Sequence, residues 1–347
     1  MRILGRAAQL FFSSVLKAEG VDDYSTDAVS EGLIHASLRG VDSHGIRLFK
    51  HYYSALTGGR INRCPDFSFS DVTATTATLD ADHGFGHAAG LKAVEKVVEL
   101  AGQAGMGAVA VRQSTHFGAA SFYGLKIAAN NMIGFSFTHS DPLIAPTGAK
   151  KAFLGNNPIC FAAPCAGEDP VCLDMATSTI TFNEVLRLRN EGKKAPLDAG
   201  FDHEGKGTRN PDDIVTLSPV GGYKGYGLSL MVEVLCALLS GAPFGPNVGH
   251  MYNDPLDKKR NLGQFFIAIN IQNFLDIDAF KTRLSELVGE LRQQERVNLD
   301  NPVCVAGDPE KEMTRERHKM GIPVSLDDEE FFQSLAEQYD VPLEIMH

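Results

Sequence analysis

The chain has no apolar run approaching the roughly 20 residues that a bilayer-spanning helix needs. It also lacks a basic excess. Its 32 Lys and Arg stand against 43 Asp and Glu, a net charge of −11. Nucleic acid and anionic membrane both demand a basic footprint, so neither is the expected main partner. No CxxC or zinc-finger spacing occurs among the six cysteines, Cys64, Cys160, Cys165, Cys172, Cys236 and Cys304. They read as free, largely buried thiols, which suits a reducing compartment and makes a cytoplasmic location the expectation. There is no HExxH. His83 and His87 stand four apart without a third ligand nearby, so no metal site is expected. No repeat or low-complexity segment stands out either.

What remains is a globular composition, 44% hydrophobic and 22% charged over 347 residues. That is enough for one large domain or two of ordinary size. The opening MRILGRAAQLFFSSVLKAEG pairs two arginines with an apolar run, but it reads as a mature helix with Leu10, Phe11, Val15 and Leu16 on one stripe. Residues 5–57 read as helical, with Asp22 and Asp23 offering a cap and Gly58-Gly59 stopping the run. The middle of the chain alternates strands and helices. Helices are expected over 88–101 and 119–130, and strands over 106–111, 133–138, 159–163 and 171–174. This alternation predicts an α/β domain. Residues 190–220 read as a long surface excursion that can hold a hairpin. An apolar helix over 225–239, a strand over 265–271 and helices over 278–295 and 327–337 complete the chain.

The stretch Arg39–Tyr53, RGVDSHGIRLFKHYY, concentrates polar chemistry between apolar flanks. On a helix, His44, Arg47 and His51 would share one face. A histidine that exchanges a proton near neutral pH, beside a guanidinium suited to a carboxylate, fits reactions on small organic acids. A polar helix end capped by Ser43 is the plainer alternative. Gly84-x-Gly86-x-x-x-Gly90 follows a strand and opens a helix, yet it departs from G-x-G-x-x-G. It also lacks the acid about 20 residues on, so it reads as a tight strand-to-helix turn. Later stretches add to the picture. Ser114–Ala119 (STHFGA) is a turn whose amides can hold a phosphate. Gly155-Asn156-Asn157-Pro158 is a polar turn, and Asp174-Met175-Ala176-Thr177-Ser178 sets an acid at a strand end. Gly221–Gly227 is a glycine-rich loop carrying Lys224.

SHG at residue 44, HFGAA, the GxNP turn, LDMATS, GGYKGYGLSLMVEVL with SGAPFG, and RNLGQFF follow one another in this order. Together they resemble the malate/L-lactate dehydrogenase family, which also holds ureidoglycolate, sulfolactate and 2,3-diketogulonate dehydrogenases and cyclic-ketimine reductases. The match runs from the N-terminal helices to Ala306-Gly307-Asp308. The resemblance implies a fold unrelated to the Rossmann-type lactate and malate dehydrogenases. A nucleotide-binding mixed-sheet α/β domain, 71–255, is expected inside a mainly helical substrate and dimer domain formed by 1–70 and 256–347. It also implies a homodimer, NAD or NADP as cofactor, and a small 2-hydroxy or 2-oxo acid as substrate, with cyclic imino acids as the alternative. Carried over residue by residue, His44 with Ser43 beside it is the proton donor and acceptor, and His116 is the alternative acid/base. Arg47 grips the substrate carboxylate, although the family often has that arginine where this chain has Leu48, and Asn157 helps place the substrate. His116, Gly118, Ala119, Ser140, Asp174, Met175, Ala176, Lys224, Gly307 and Asp308 line the cofactor. Where many relatives carry Trp-Gly-Lys after DMATS, this chain has Phe182-Asn183-Glu184.

Overall fold

The computed structural model describes residues 1–346. The region expected to be helical, 5–57, forms three helices: α1 (Gly5–Ala18), α2 (Asp23–Leu38) and α3 (Phe49–Thr57). Asp22 caps α2 by accepting from the Ser25 amide at 2.9 Å. Between α2 and α3 the chain makes two single 3-10 turns, Asp42–His44 and Ile46–Leu48. Gly40 breaks the helix with a φ of 80°. Arg317, far along the chain, donates to the Ser37 carbonyl and to both oxygens of Asp42, at 2.9 Å for the second. The shared helical face expected for His44, Arg47 and His51 therefore does not exist. In α1 the buried stripe is Ala8, Phe11, Phe12, Val15 and Leu16, and Leu10 faces out.

A seven-stranded mixed sheet follows. Its spatial order is Ser68–Ser70, Thr76–Asp80, Met106–Ser114, Leu262–Asn270, Met132–Thr138, Ile159–Ala163 and Val171–Met175. Only Thr76–Asp80 and Met106–Ser114 run parallel, joined across α4 (Gly86–Ala104). Every other pairing is antiparallel. Leu262–Asn270, which the expected boundary at 255/256 placed with the helical segment, instead fills the centre of this sheet. It sets Phe266 opposite Val109 on one side and Ser136 on the other. Then α4 and α5 (Ser121–Ala129) pack on one face, burying Val97, Leu100, Phe122, Tyr123 and Ile127 with Val109 and Phe266. Both chain ends build a second core, in which the rings of Phe11, Phe12 and Phe49 meet Phe332 of α10 (Leu326–Tyr339).

The excursion after α6 (Phe182–Asn190) is a small three-stranded antiparallel sheet of Gly200–Phe201, Gly207–Thr208 and Thr216–Leu217. The apolar helix expected from 225 begins as α7 (Tyr223–Glu233) and passes into a π turn, Val234–Leu238. Its outer side exposes Leu228, Leu230, Met231, Val234 and Leu238. α8 (Ile277–Arg292) was expected from the sequence, but α9 (Asp308–Met320) was not. α9 is strongly polar, and what it buries is Lys311 and Arg317, each ion-paired. Among the described residues, no helix is long and apolar enough to cross a membrane.

The ion pairs of α8 and α9 give a pH signature. Glu168 accepts from both Arg292 Nη atoms at 2.8 Å and from Lys311 Nζ at 2.7 Å. Those hydrogen bonds, the Arg292 ones foremost, hold its carboxyl down to about 2 from a usual 4.5. A depressed folded-state value contributes stability above 4.5 that is lost as pH falls toward 2. Urea midpoints at about pH 6 and about pH 3 should therefore differ less in Glu168→Gln than in the parent chain. Equal differences would show that the cluster contributes no acid sensitivity.

Candidate active site

One cleft of about 170 Å³ gathers the chemistry. Arg39, Val41, Ser43 and His44 come from the turn after α2, and His116, Gly118, Ala119, Ala120 and Ser121 from the turn that opens α5. Thr138, His139 and Ser140 come from the end of a sheet strand. Asn156, Pro158, Cys172, Asp174, Ala176, Thr181 and Glu310 complete the wall.

Gly45 is what allows His44 its place. A Cβ there would sit 2.1 Å from Ser37 Oγ, which instead accepts from the Ile46 amide at 2.9 Å. Gly45→Ala should therefore push the SHG turn off α2. A stability loss of about 1–3 kcal/mol is expected, the range for overpacking, with reduced turnover. Equilibrium unfolding beside a rate assay checks this, and wild-type values in both would contradict it.

His44 and His116 stack face to face, ring centroids 5.5 Å apart and planes 17° from parallel. Ser43 Oγ lies 2.9 Å from His44 Nδ1. His116 Nδ1 accepts from the Gly118 amide at 3.3 Å and lies 2.7 Å from the Tyr52 hydroxyl. Burial pushes His44 below its ordinary 6.5, and the Asp174 carboxylate opposes that shift. Burial drives His116 well below 6.5, with the positive fields of His44 and Arg260 adding to it. Asp174 accepts from the Ser121 amide at 2.7 Å and so sits at the positive end of α5. Several polar groups of the wall are buried without a partner among the described residues: Arg39 Nε, Ser121 Oγ and His139 Nε2.

Of the residues expected from the sequence, Ser43, His44, His116, Gly118, Ala119, Ser140, Asp174 and Ala176 meet in this cleft. The others do not. The Arg47 side chain is 63% exposed, with its Nε 3.9 Å from Asp328, and it does not line this cleft. Asn157 is fully buried behind the wall. Its Oδ1 takes the Ser140 amide at 3.0 Å, and its Nδ2 donates to Ser229 O and to Glu233. Both ends of the amide are thus engaged with the chain, and Asn157 shapes Ser140 instead of reaching into the cleft. Lys224 is exposed on the first turn of α7 and outside the wall. Met175 also lies outside it. Gly307 packs against Cys172, and the Asp308 carboxylate is taken by Arg292 and the Val305 amide. Residues with no role assigned from the sequence stand here instead. Arg39 lines the cleft and Tyr52 contacts His116. Arg260 is 3% exposed and pairs with Asp141. Arg39 and Tyr52 both lie within the polar stretch Arg39–Tyr53, but no spacing rule points to their partners.

The geometry can be set beside known proteins. The model of the malate/L-lactate dehydrogenase family matches residues 6–332. A malate dehydrogenase of Pyrococcus abyssi is 36% identical over 324 residues, covering 90% of this chain and 88% of that protein. The crystal structure of a malate dehydrogenase from Entamoeba histolytica superposes with a TM-score of 0.94 at 32% identity, covering 99% of each chain. The Δ1-piperideine-2-carboxylate reductase of Pseudomonas syringae superposes with a TM-score of 0.86 at 30% identity, covering 97% of this chain and all of that one. With a family match over most of its length and oxidoreductases as its relatives, the chain belongs to the malate/L-lactate dehydrogenase family.

Proposed function

We propose that the protein uses a nicotinamide dinucleotide to interconvert a small 2-hydroxy acid and its 2-oxo acid, with His44 as the general acid/base. The observation that carries this reading is the stacked His44–His116 pair in a cleft that also holds Arg39, Ser121 and Asp174. The cleft fits such a nucleotide. The Ala119 and Ala120 amides have no acceptor among the described residues and precede the N-terminus of α5, where a phosphate is favoured. Ser121 Oγ and Arg39 Nε are buried beside them without a partner among the described residues. Asp174 spends one oxygen on Ser121, which leaves the other for a ribose hydroxyl. When bound, the nicotinamide accepts or returns the hydride at the substrate carbon. His44 takes the hydroxyl proton as the carbonyl forms and gives it back in reduction. Arg39 makes no ion pair among the described residues, whereas Arg260 is already neutralised by Asp141. Arg39 is therefore the cation free to hold an anionic group.

The exposed apolar side of α7 and its π turn supports a homodimer. The aromatic cluster joining α1, α3 and α10 supports a helical unit made from both chain ends, with Leu262–Asn270 reassigned to the sheet unit. A second reading, reduction of a cyclic imino acid, draws support from the likeness to the Pseudomonas syringae reductase. The same groups serve it, with nitrogen in place of oxygen. NADH and NADPH oxidation against oxaloacetate, pyruvate, 2,3-diketogulonate and Δ1-piperideine-2-carboxylate tests both readings. Turnover of a 2-oxo acid is expected. Imine turnover alone would favour the second reading, and silence without nucleotide binding would sink both.

A further inference from the structure

We propose that Tyr52 is a positioning residue that locks His116 as the neutral Nε2–H tautomer. His116 is then a fixed hydrogen-bond donor to the substrate oxygen, and proton transfer is left to His44. This inference rests on the dehydrogenase reading for its substrate, but the tautomer stands on geometry alone.

Tyr52 lies on α3 and is 1% exposed. Its hydroxyl reaches His116 Nδ1, 64 residues along the chain, at 2.7 Å. Distance alone leaves open which atom donates, because a phenol and a ring nitrogen can each do so. The Gly118 amide settles the matter. A backbone N–H only donates, and it points at the same Nδ1 at 3.3 Å. Nδ1 is therefore an acceptor, Tyr52 must be the donor, and a neutral ring so arranged carries its proton on Nε2. Moving that proton to Nδ1 would set two N–H groups against each other.

The surroundings hold the arrangement. Burial keeps the Tyr52 phenol well above its usual 10, so it remains a donor. Gly118 has a φ of 75°, and a Cβ there would lie 2.5 Å from His87 Nε2, so glycine alone lets its amide face His116. His87 packs edge-on to the Tyr52 ring at 5.2 Å and 90°. The charged and titratable groups facing His116 are His44, His51, His87 and Arg260, all of which disfavour a cation there, together with Tyr52. A neutral imidazole is a known way to polarise a carbonyl without yielding a proton.

His44 is built differently. Its Nδ1 meets Ser43 Oγ, a hydroxyl that can donate or accept, so it is accommodated protonated or not. In reduction the hydride goes to carbon, the His44 proton goes to oxygen, and the His116 proton stays where it began.

The first test is 15N NMR of imidazole-labelled whole protein, with His116 assigned from the spectrum of His116→Gln. An acceptor-type Nδ1 and an N–H-type Nε2, unchanged from about pH 5.5 to about pH 8.5, are expected. Titration of His116 in that window, or a protonated Nδ1, would overturn the inference. The second test is kinetic. Tyr52→Phe removes only the hydroxyl and should lower kcat by about ten- to a hundredfold, as loss of a tautomer-fixing partner does. Nucleotide affinity and the pH limb should be unchanged. His116→Gln, whose amide still donates, should exceed His116→Ala in turnover by about tenfold and keep the wild-type pH limb. A wild-type kcat in Tyr52→Phe, or loss of the pH limb in His116→Gln, would contradict the roles assigned. No turnover with any 2-oxo acid or imine would defeat the dehydrogenase reading, whereas a titrating His116 defeats this inference alone.

Discussion

Replacing His44 by alanine is expected to lower turnover by about a hundredfold or more, the scale of a lost general acid/base, while nucleotide affinity persists. The two effects separate because of where the groups sit. His44 projects from the 3-10 turn after α2, whereas the free amides and Ser121 Oγ that suit a phosphate lie at the start of α5. The pH profile should change along with the rate. Burial lowers the His44 value below 6.5 more than Asp174 raises it. With His44 as the proposed base, hydroxy-acid oxidation needs the neutral ring, so the wild-type rate should climb through a pH below 6.5 and then level off. In reduction the protonated ring is needed, and the rate should fall through the same pH as it rises. His44→Ala should show neither limb. Steady-state rates across pH, beside a nucleotide fluorescence titration, check both halves. Near wild-type turnover with the limbs intact would remove His44 from the chemistry and hand the proton to His116.

Much of this site is legible in the residues themselves, and the rest is hidden for identifiable reasons. His44, His116 and Asp174 stand at element ends marked by small residues and turns, which local patterns reveal. The direction of Arg47 does not follow from them. Its expected face assumes 3.6 residues per turn, and the backbone leaves that geometry at Gly40 and again at Gly45. The Tyr52–His116 contact joins residues 64 apart, and no spacing rule spans that distance. In the fold, α4 and the inner strands announce themselves by apolar period. The insertion of Leu262–Asn270 between Met106–Ser114 and Met132–Thr138 does not, since strand order is a matter of pairing and not of composition. α9 carries no apolar signal because its buried residues are Lys311 and Arg317, which are held by Glu168 and Asp42. A helix docked by charge shows no apolar stripe.

The largest loss of stability is expected from Asp141→Ala. Arg260 is 3% exposed, its Nε has no partner among the described residues, and Asp141 is the carboxylate it meets. Removing one member of a buried pair leaves a desolvated charge, which costs about 3–5 kcal/mol. The Met251 amide, held by Asp141 at 2.6 Å, loses its acceptor as well. Burial already pulls the Arg260 guanidinium below its ordinary value, and Asp141 is the strongest influence opposing that pull. The contrast with a double change is what identifies the cause. Asp141→Leu combined with Arg260→Met removes both charges, and replacing a buried pair by apolar groups is often neutral or stabilising. The double variant should therefore recover most of the urea midpoint that Asp141→Ala loses. It should also lift the field of Arg260 from His116, His51 and His139, each of which that charge now pushes down. A single variant within about 0.5 kcal/mol of wild type would place it among ordinary surface substitutions. Arg260 would then find water or another acceptor once Asp141 is gone, and the pair would not be what holds this wall of the fold in place.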